Sequence, residues 1–280
     1  MSLFNFDEAE ILTFFAVLVR YSVLISVLPF FGDKVIPMPV KVLLSLALSI
    51  CLFPALVARG RINPADALVW GATPAGIAST IVVEALLALA LGFVAKIAFD
   101  AVNFGGNMVG TFMGFAMANT YDHRQESQTQ VVAEIQMALA MMLFLALDGH
   151  HFMLAAGIQS YNIVGLGGFG ADGQSVLSAA GSTSFAAQKI IALTSQIFRF
   201  GIQIAAPVAV VMFGINVAFG VLAKALPQLN VLVLSAAVSG LVGLAVMFLS
   251  LPEFQGAVSN VLAGIPESMN GLLQAIARGR

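Results

Sequence analysis

Six long apolar stretches dominate this chain and restrict what it can fold into. A helix rises 1.5 Å per residue, so about twenty apolar residues cross the roughly 30 Å hydrocarbon core of a bilayer. Stretches of that order run from Ile11 to Phe31, Val40 to Ala58, Ala75 to Phe99, Val131 to Leu147, Phe185 to Ala223 and Val231 to Leu251. The fourth continues past Gly149 from His151 to Tyr161, and the fifth is too long for one straight span. Pro207, which has no N–H to donate, predicts a kink in that fifth stretch. Ile36-Pro37-Met38-Pro39 separates the first two stretches, and Pro252 marks the end of the sixth.

Composition closes off the soluble alternatives. Of 280 residues, 60% are hydrophobic and 9% charged, with a mean hydropathy of +0.98. An average soluble domain carries about 25% charged residues. Twelve Lys and Arg against fourteen Asp and Glu leave a net charge of −2, which argues against nucleic acid as a partner, since phosphate neutralisation needs a basic patch. The expectation is an all-α polytopic membrane protein of about six long, kinked helices, forming one integral domain over residues 1–280 in contact with lipid. Asp7, Glu8 and Glu10 stand where a cleavable signal would carry positive charge, so the first stretch is expected to be retained. Cys51, in an apolar run, reads as a small buried hydrophobe.

The intervening pieces are irregular. Arg59 to Pro74 reads as a polar loop with a short helix at Pro64 to Trp70, and the Gly- and Ser-rich run Gly165 to Ser184 as an extramembrane loop. From Gln255 to Ala277, apolar residues from Val258 to Ile276 recur at helical spacing, predicting an amphipathic tail, broken at Pro266, that lies on a membrane or a partner. Lys34, Lys41, Arg124 and Lys224 fall on one side of a six-span arrangement and Arg59, Arg61, Lys189, Arg278 and Arg280 on the other, a balance that leaves orientation open.

Catalytic chemistry finds no footing. Gly165-Leu166-Gly167-Gly168-Phe169-Gly170 spells G-x-G-x-x-G, yet no strand precedes it and no acidic residue follows at the right distance. His150 and His151 are adjacent, about 100° apart on a helix, which disfavours a shared metal. With no Ser-His-Asp or Cys-His arrangement, the expectation is a protein that is not an enzyme, with no cofactor and no metal site.

Two groups of residues remain. Arg20, Glu84, Lys96, Asp100, Asn103, Glu134, Arg199, Gln203 and Asn216 are polar residues inside apolar stretches, where they are expensive. Three readings stay open: mutual pairing within or between subunits, a proton or ion path, and a water-filled conduit. The second group is Gly106, Gly110 and Gly114, spaced by four and extended by Ala118. Met108, Phe112, Met113, Phe115 and Met117 are interleaved with them. Small residues at this spacing bring helix backbones together. Glycine also weakens a helix by about 1 kcal/mol relative to alanine, and methionine is deformable. Residues 106–121 are thus either a tightly packed helix or a pliable apolar gate.

Several segments resemble the FliR family of flagellar type III export-gate proteins. Ala225-Leu226-Pro227-Gln228-Leu229-Asn230-Val231 is similar to that family's A-x-P-Q-x-N-V turn between the last two long helices. Asp148-Gly149-His150-His151, Ser160-Tyr161 and Val164-Gly165-Leu166-Gly167 resemble its (N/D)-G-H…S-(F/Y)…P-x-G stretch, and Gly114-Phe115-Ala116 its G-F-(S/A)-x-A segment. The central stretch favours the flagellar branch over the virulence-secretion branch. The resemblance implies a bacterial inner-membrane subunit of the flagellar basal body, assembled with FliP-like, FliQ-like and FlhB-like subunits into a closed helical core. It implies passage of unfolded protein substrates through a conduit plugged by the central loop, here about Gly106 to Tyr121. A small-solute secondary transporter using Glu84, Lys96, Asp100 and Arg199 is the competing expectation.

Overall fold

The computed structural model describes residues 7–29, 31, 36–115, 131–168, 182–226, 228 and 230–278. Among them the secondary structure is helical throughout, with no strand. The helices are α1 (Glu8–Val27), α2 (Met38–Ala58), α3 (Ala67–Trp70), α4 (Pro74–Phe112), α5 (Val131–Ala146), α6 (Gly149–Ile163), α7 (Ser182–Ala225), α8 (Val231–Leu249), α9 (Leu251–Ala263) and α10 (Ile265–Arg278). A 3₁₀ turn at Pro64–Asp66 leads into α3, completing the expected short helix of that loop. Among the described residues, four helices are long and apolar enough to cross a membrane: α1, α2, α4 and α7 from Ala187. With each of the bent pairs, α5 with α6 and α8 with the helices after it, counted as one span, the number is six.

The chain packs as two compact units. The first comprises Met1–Lys96, Asp148–Leu193 and Gly264–Arg280, and the second Ile97–Leu147 and Thr194–Ala263. In the first unit, α1 starts where the Asp7 carboxylate accepts the Glu8 N–H at 2.9 Å, with Glu8 and Glu10 favourably placed in the first turn. Its buried positions Ala9, Thr13, Val17, Arg20, Tyr21 and Leu24 recur every three or four residues and face α2, α3 and α6. In the second unit, Val109, Met113, Val132, Ala205, Val208, Met212 and Met247 form one apolar core drawn from α4, the turn after it, α5, α7 and α8.

Several expectations change on contact with the structure. The third stretch does not end at Phe99: α4 spans 39 residues from Pro74 to Phe112, so Gly106 to Phe112 take the packed-helix alternative and the helix ends before Met113. The reason is packing, which outweighs glycine's poor helix propensity (below). The amphipathic tail does not present its apolar face outward. Val258 and Leu262 are buried in the second unit, where α9 packs on α5, and Met269, Leu272 and Leu273 in the first, where α10 packs on α6. The chain breaks at Gly264, two residues before Pro266, which then occupies the opening turn of α10 that proline tolerates. Cys51 is exposed on α2.

The reversal before α8 follows its residue types. Helix α7 ends at Ala225, and the Asn230 side-chain oxygen accepts the Val233 N–H at 3.4 Å, capping α8. Gln228 is an exposed turn residue, while Pro227 and Leu229 lie outside the described residues. Asn230→Ala is expected to destabilise the purified chain by about 1 kcal/mol, read as a lowered thermal midpoint.

Candidate functional site

The first unit buries a charge. Arg20 and Glu84, both with 0% exposure, meet from α1 and α4 although 64 positions separate them. Arg20 Nε and Nη2 donate to the two Glu84 carboxylate oxygens at 2.5 and 2.9 Å, the planar fork matching the carboxylate. Its Nη1 donates to Ser160 Oγ at 2.8 Å, and that hydroxyl in turn donates to the Gly157 carbonyl at 2.6 Å. The guanidinium also lies over the Tyr161 ring, 3.7 Å from its centroid. A further donor completes the carboxylate: the Gly167 N–H reaches Glu84 Oε1 at 2.8 Å. Gly167 has φ +70°, which a side-chain-bearing residue adopts with strain.

This network explains the glycine-rich stretch that spells G-x-G-x-x-G. Its start is packed into the first unit. Val164, Leu166 and Gly167 are buried, and the chain turns so that a backbone amide faces Glu84. The sequence singled out Arg20 and Glu84 separately, each as a costly polar residue. Mutual pairing is one of its open readings, but it does not choose the partners, and it names Ser160 and Gly167 only within the stretch that resembles the FliR family, because contacts between distant segments leave no periodic trace.

The glycine–methionine segment splits into two parts. Gly106 and Gly110 lie buried in the last turns of α4. A Cβ on Gly106 would stand 2.5 Å from Ala133 Cα, and one on Gly105 3.0 Å from the Gly201 carbonyl and from Ile204. These glycines therefore set the close approach of α4 to α5 and α7. After Phe112 the chain leaves the helix, and Gly114 takes φ +84°. Met113 is 1% exposed and fills the space over Gly243, where a Cβ would meet its Cγ at 2.5 Å. Phe112 and Phe115 are half-buried against the same core. Met117 and the rest of the stretch to Tyr121 lie outside the described residues.

Lys96 is exposed and Asp100 half-exposed on α4, and Arg199 is exposed on α7. Glu84, bound by Arg20 and Gly167, is committed to structure in the first unit.

At the start of α6, Asp148 adopts φ +54°, and ligand atoms of Asp148, His150 and His151 lie within 4.8 Å of one another. The two rings are 4.1 Å apart, so the expected 100° separation does not hold them away from each other. His151 Nδ1 and Asp148 Oδ1 are 3.3 Å apart, and both side chains are about 70% exposed, while His150 is half-buried.

Comparison with known proteins adds what geometry alone does not supply. Residues 11–265 match the family of bacterial export proteins, family 1. The chain is 28% identical over 242 residues to the flagellar biosynthetic protein FliR of Escherichia coli (strain K12), covering 85% of this chain and 84% of that one. It is 25% identical over 235 residues to the protein of the same name from Caulobacter vibrioides, with 84% and 86% coverage. The Bacillus subtilis protein is 27% identical over 194 residues, with 69% and 71% coverage.

Proposed function

The chain belongs to the bacterial export proteins, family 1, and from that premise we propose that it is a non-enzymatic subunit of a flagellar type III protein export gate in the bacterial inner membrane. In this reading it assembles with FliP-like, FliQ-like and FlhB-like subunits, and unfolded flagellar proteins leave through the conduit they enclose. The carrying observation is the family match over residues 11–265, together with FliR relatives aligned over most of their own length. The exposed apolar surface agrees with it. Val210, Phe213 and Val221 on α7 and Leu241, Phe248 and Leu249 on α8 and at its end are each more than 60% exposed, as residues that face lipid or sister subunits must be.

In the same reading, the segment from Gly106 to Tyr121 contributes the plug, with α4 through Phe112 as its anchored base and the chain from Met113 onward as its working part. Met113 tucked over Gly243 is then the closed position, a deformable side chain against a surface with no Cβ. The turn Pro227, Gln228, Leu229 and Asn230 holds the α7–α8 hairpin for assembly.

Affinity purification of the tagged chain from membranes tests the assignment: other export-gate subunits are expected to accompany it, and recovery of the chain alone would overturn it. Deleting Gly110 to Met117 tests the plug. Cells carrying the deletion are expected to leak small ions while export is idle, and a fully sealed inner membrane would remove the plug role.

A further inference from the structure

The outward face of α4 changes character halfway along. Residues 82, 86, 89, 93, 96, 100, 103, 107 and 111 are spaced by three or four, so they follow one line along the helix surface. The first four are Val82, Leu86, Leu89 and Phe93, all 37–49% exposed and all apolar. The next five are Lys96, Asp100, Asn103, Asn107 and Thr111, exposed or half-exposed and all polar. The polar part extends about 22 Å at 1.5 Å per residue. One helix thus carries, on one side, a surface made for lipid followed by a surface made for water.

We propose that the line Asp100, Asn103, Asn107 and Thr111 is a wall of the export conduit, along which the backbone of an unfolded polypeptide passes. This rests on the export-gate reading above. Three observations carry it beyond that reading. First, five polar side chains in a row are costly against hydrocarbon, while the same face one turn earlier is apolar, so their surroundings differ from those of Val82 to Phe93. Second, the uncharged members largely satisfy each other. Asn107 Nδ2 donates to Asn103 Oδ1 at 2.5 Å, and Thr111 Oγ1 donates to the Asn107 carbonyl at 2.8 Å. Such a surface demands no fixed partner. Its amides still offer a donor and an acceptor, the same pair a peptide bond offers, to a chain of any sequence. Third, the line runs directly into Met113, Gly114 and Phe115, the start of the proposed plug.

Single cysteines test this in the assembled complex, with Cys51 replaced by serine. Cysteine at Asn103, Asn107 or Thr111 is expected to react with a membrane-impermeant maleimide, to lose that reaction when an export substrate is stalled by a folded domain at its end, and to cross-link to the stalled substrate. Cysteine at Val82 or Leu86 is expected to do none of these. No reaction at all three polar positions would overturn the proposal in favour of a subunit interface. Reaction unchanged by the stalled substrate, with no cross-link, would overturn it in favour of bulk water. Cross-linking at Phe115 but not along the line sinks this proposal and leaves the export-gate reading standing, whereas a chain recovered without other gate subunits sinks both. Replacing Asn103 and Asn107 together by leucine is expected to reduce export several-fold at unchanged complex yield, with glutamine at both sites restoring it. Full export by the leucine variant would count against the wall.

Discussion

Glu84→Leu is expected to lower the stability of the chain by about 3–5 kcal/mol, because it leaves the Arg20 guanidinium buried with its carboxylate removed. The remaining contacts cannot offset this. Ser160 accepts one of the guanidinium's five N–H groups, and the Tyr161 face contributes about 0.5–2 kcal/mol. The Gly167 N–H loses its acceptor as well, adding about 1–3 kcal/mol for an unmet buried donor. The double variant Arg20→Met with Glu84→Leu is expected to recover most of the loss, since apolar residues of similar volume often replace a buried ion pair at little cost. Thermal unfolding of the purified chain and its steady-state level in membranes read both effects. A single variant with an unchanged midpoint would show that the pair does not hold α1 to α4. A double variant as damaged as the single one would show that the damage comes from lost packing and not from the stranded charge.

The case of Arg20 and Glu84 also shows what the sequence makes legible. Polar residues in apolar stretches announce themselves by their cost, so both were visible. Their partnership was not, because helical periodicity assigns a residue to a face but not a face to its neighbour. The amphipathic tail fails for the same reason: the spacing of Val258, Leu262, Met269 and Leu273 identifies an apolar stripe, while the surface that covers it belongs to helices far away in sequence. Local chemistry reads more directly. The short helix ending at Trp70 and the break beside Pro266 depend on residues within a few positions, and each appears at or next to its expected place. On the outer line of α4, the sequence places Lys96 and Asp100, four apart, on one helix face and singles out Asn103, but it does not connect them with Asn107 and Thr111, because the glycine-rich stretch that follows leaves the continuation of the helix open.

That continuation sets up the second large effect. Gly106→Ala is expected to destabilise the chain by about 1–3 kcal/mol even though alanine is the better helix former by about 1 kcal/mol. The added Cβ would sit 2.5 Å from Ala133 Cα and 2.9 Å from Ala133 Cβ, and a backbone atom of α5 cannot swing aside as a side chain does. The two helices must separate, and Gln136, 3.0 Å from the same point, moves with them. Gly214→Ala supplies the opposite case. It lies within α7 with nothing within 4 Å of the added atom, so the same substitution is expected to stabilise by about 0.4–1 kcal/mol through the unfolded chain. Thermal midpoints of the two purified variants should therefore shift in opposite directions. A rise in both would mean that helix propensity governs and that α4 and α5 have room to spare. The expected opposition bears on the plug proposed above: if Gly106 is fixed by contact with α5, a moving part cannot include it. In that proposal movement falls to the chain beyond Phe112, where Gly114 holds the left-handed backbone with nothing within 4 Å of an added Cβ, and Met113, whose N–H donates to the Val109 carbonyl at 3.0 Å, packs over Gly243.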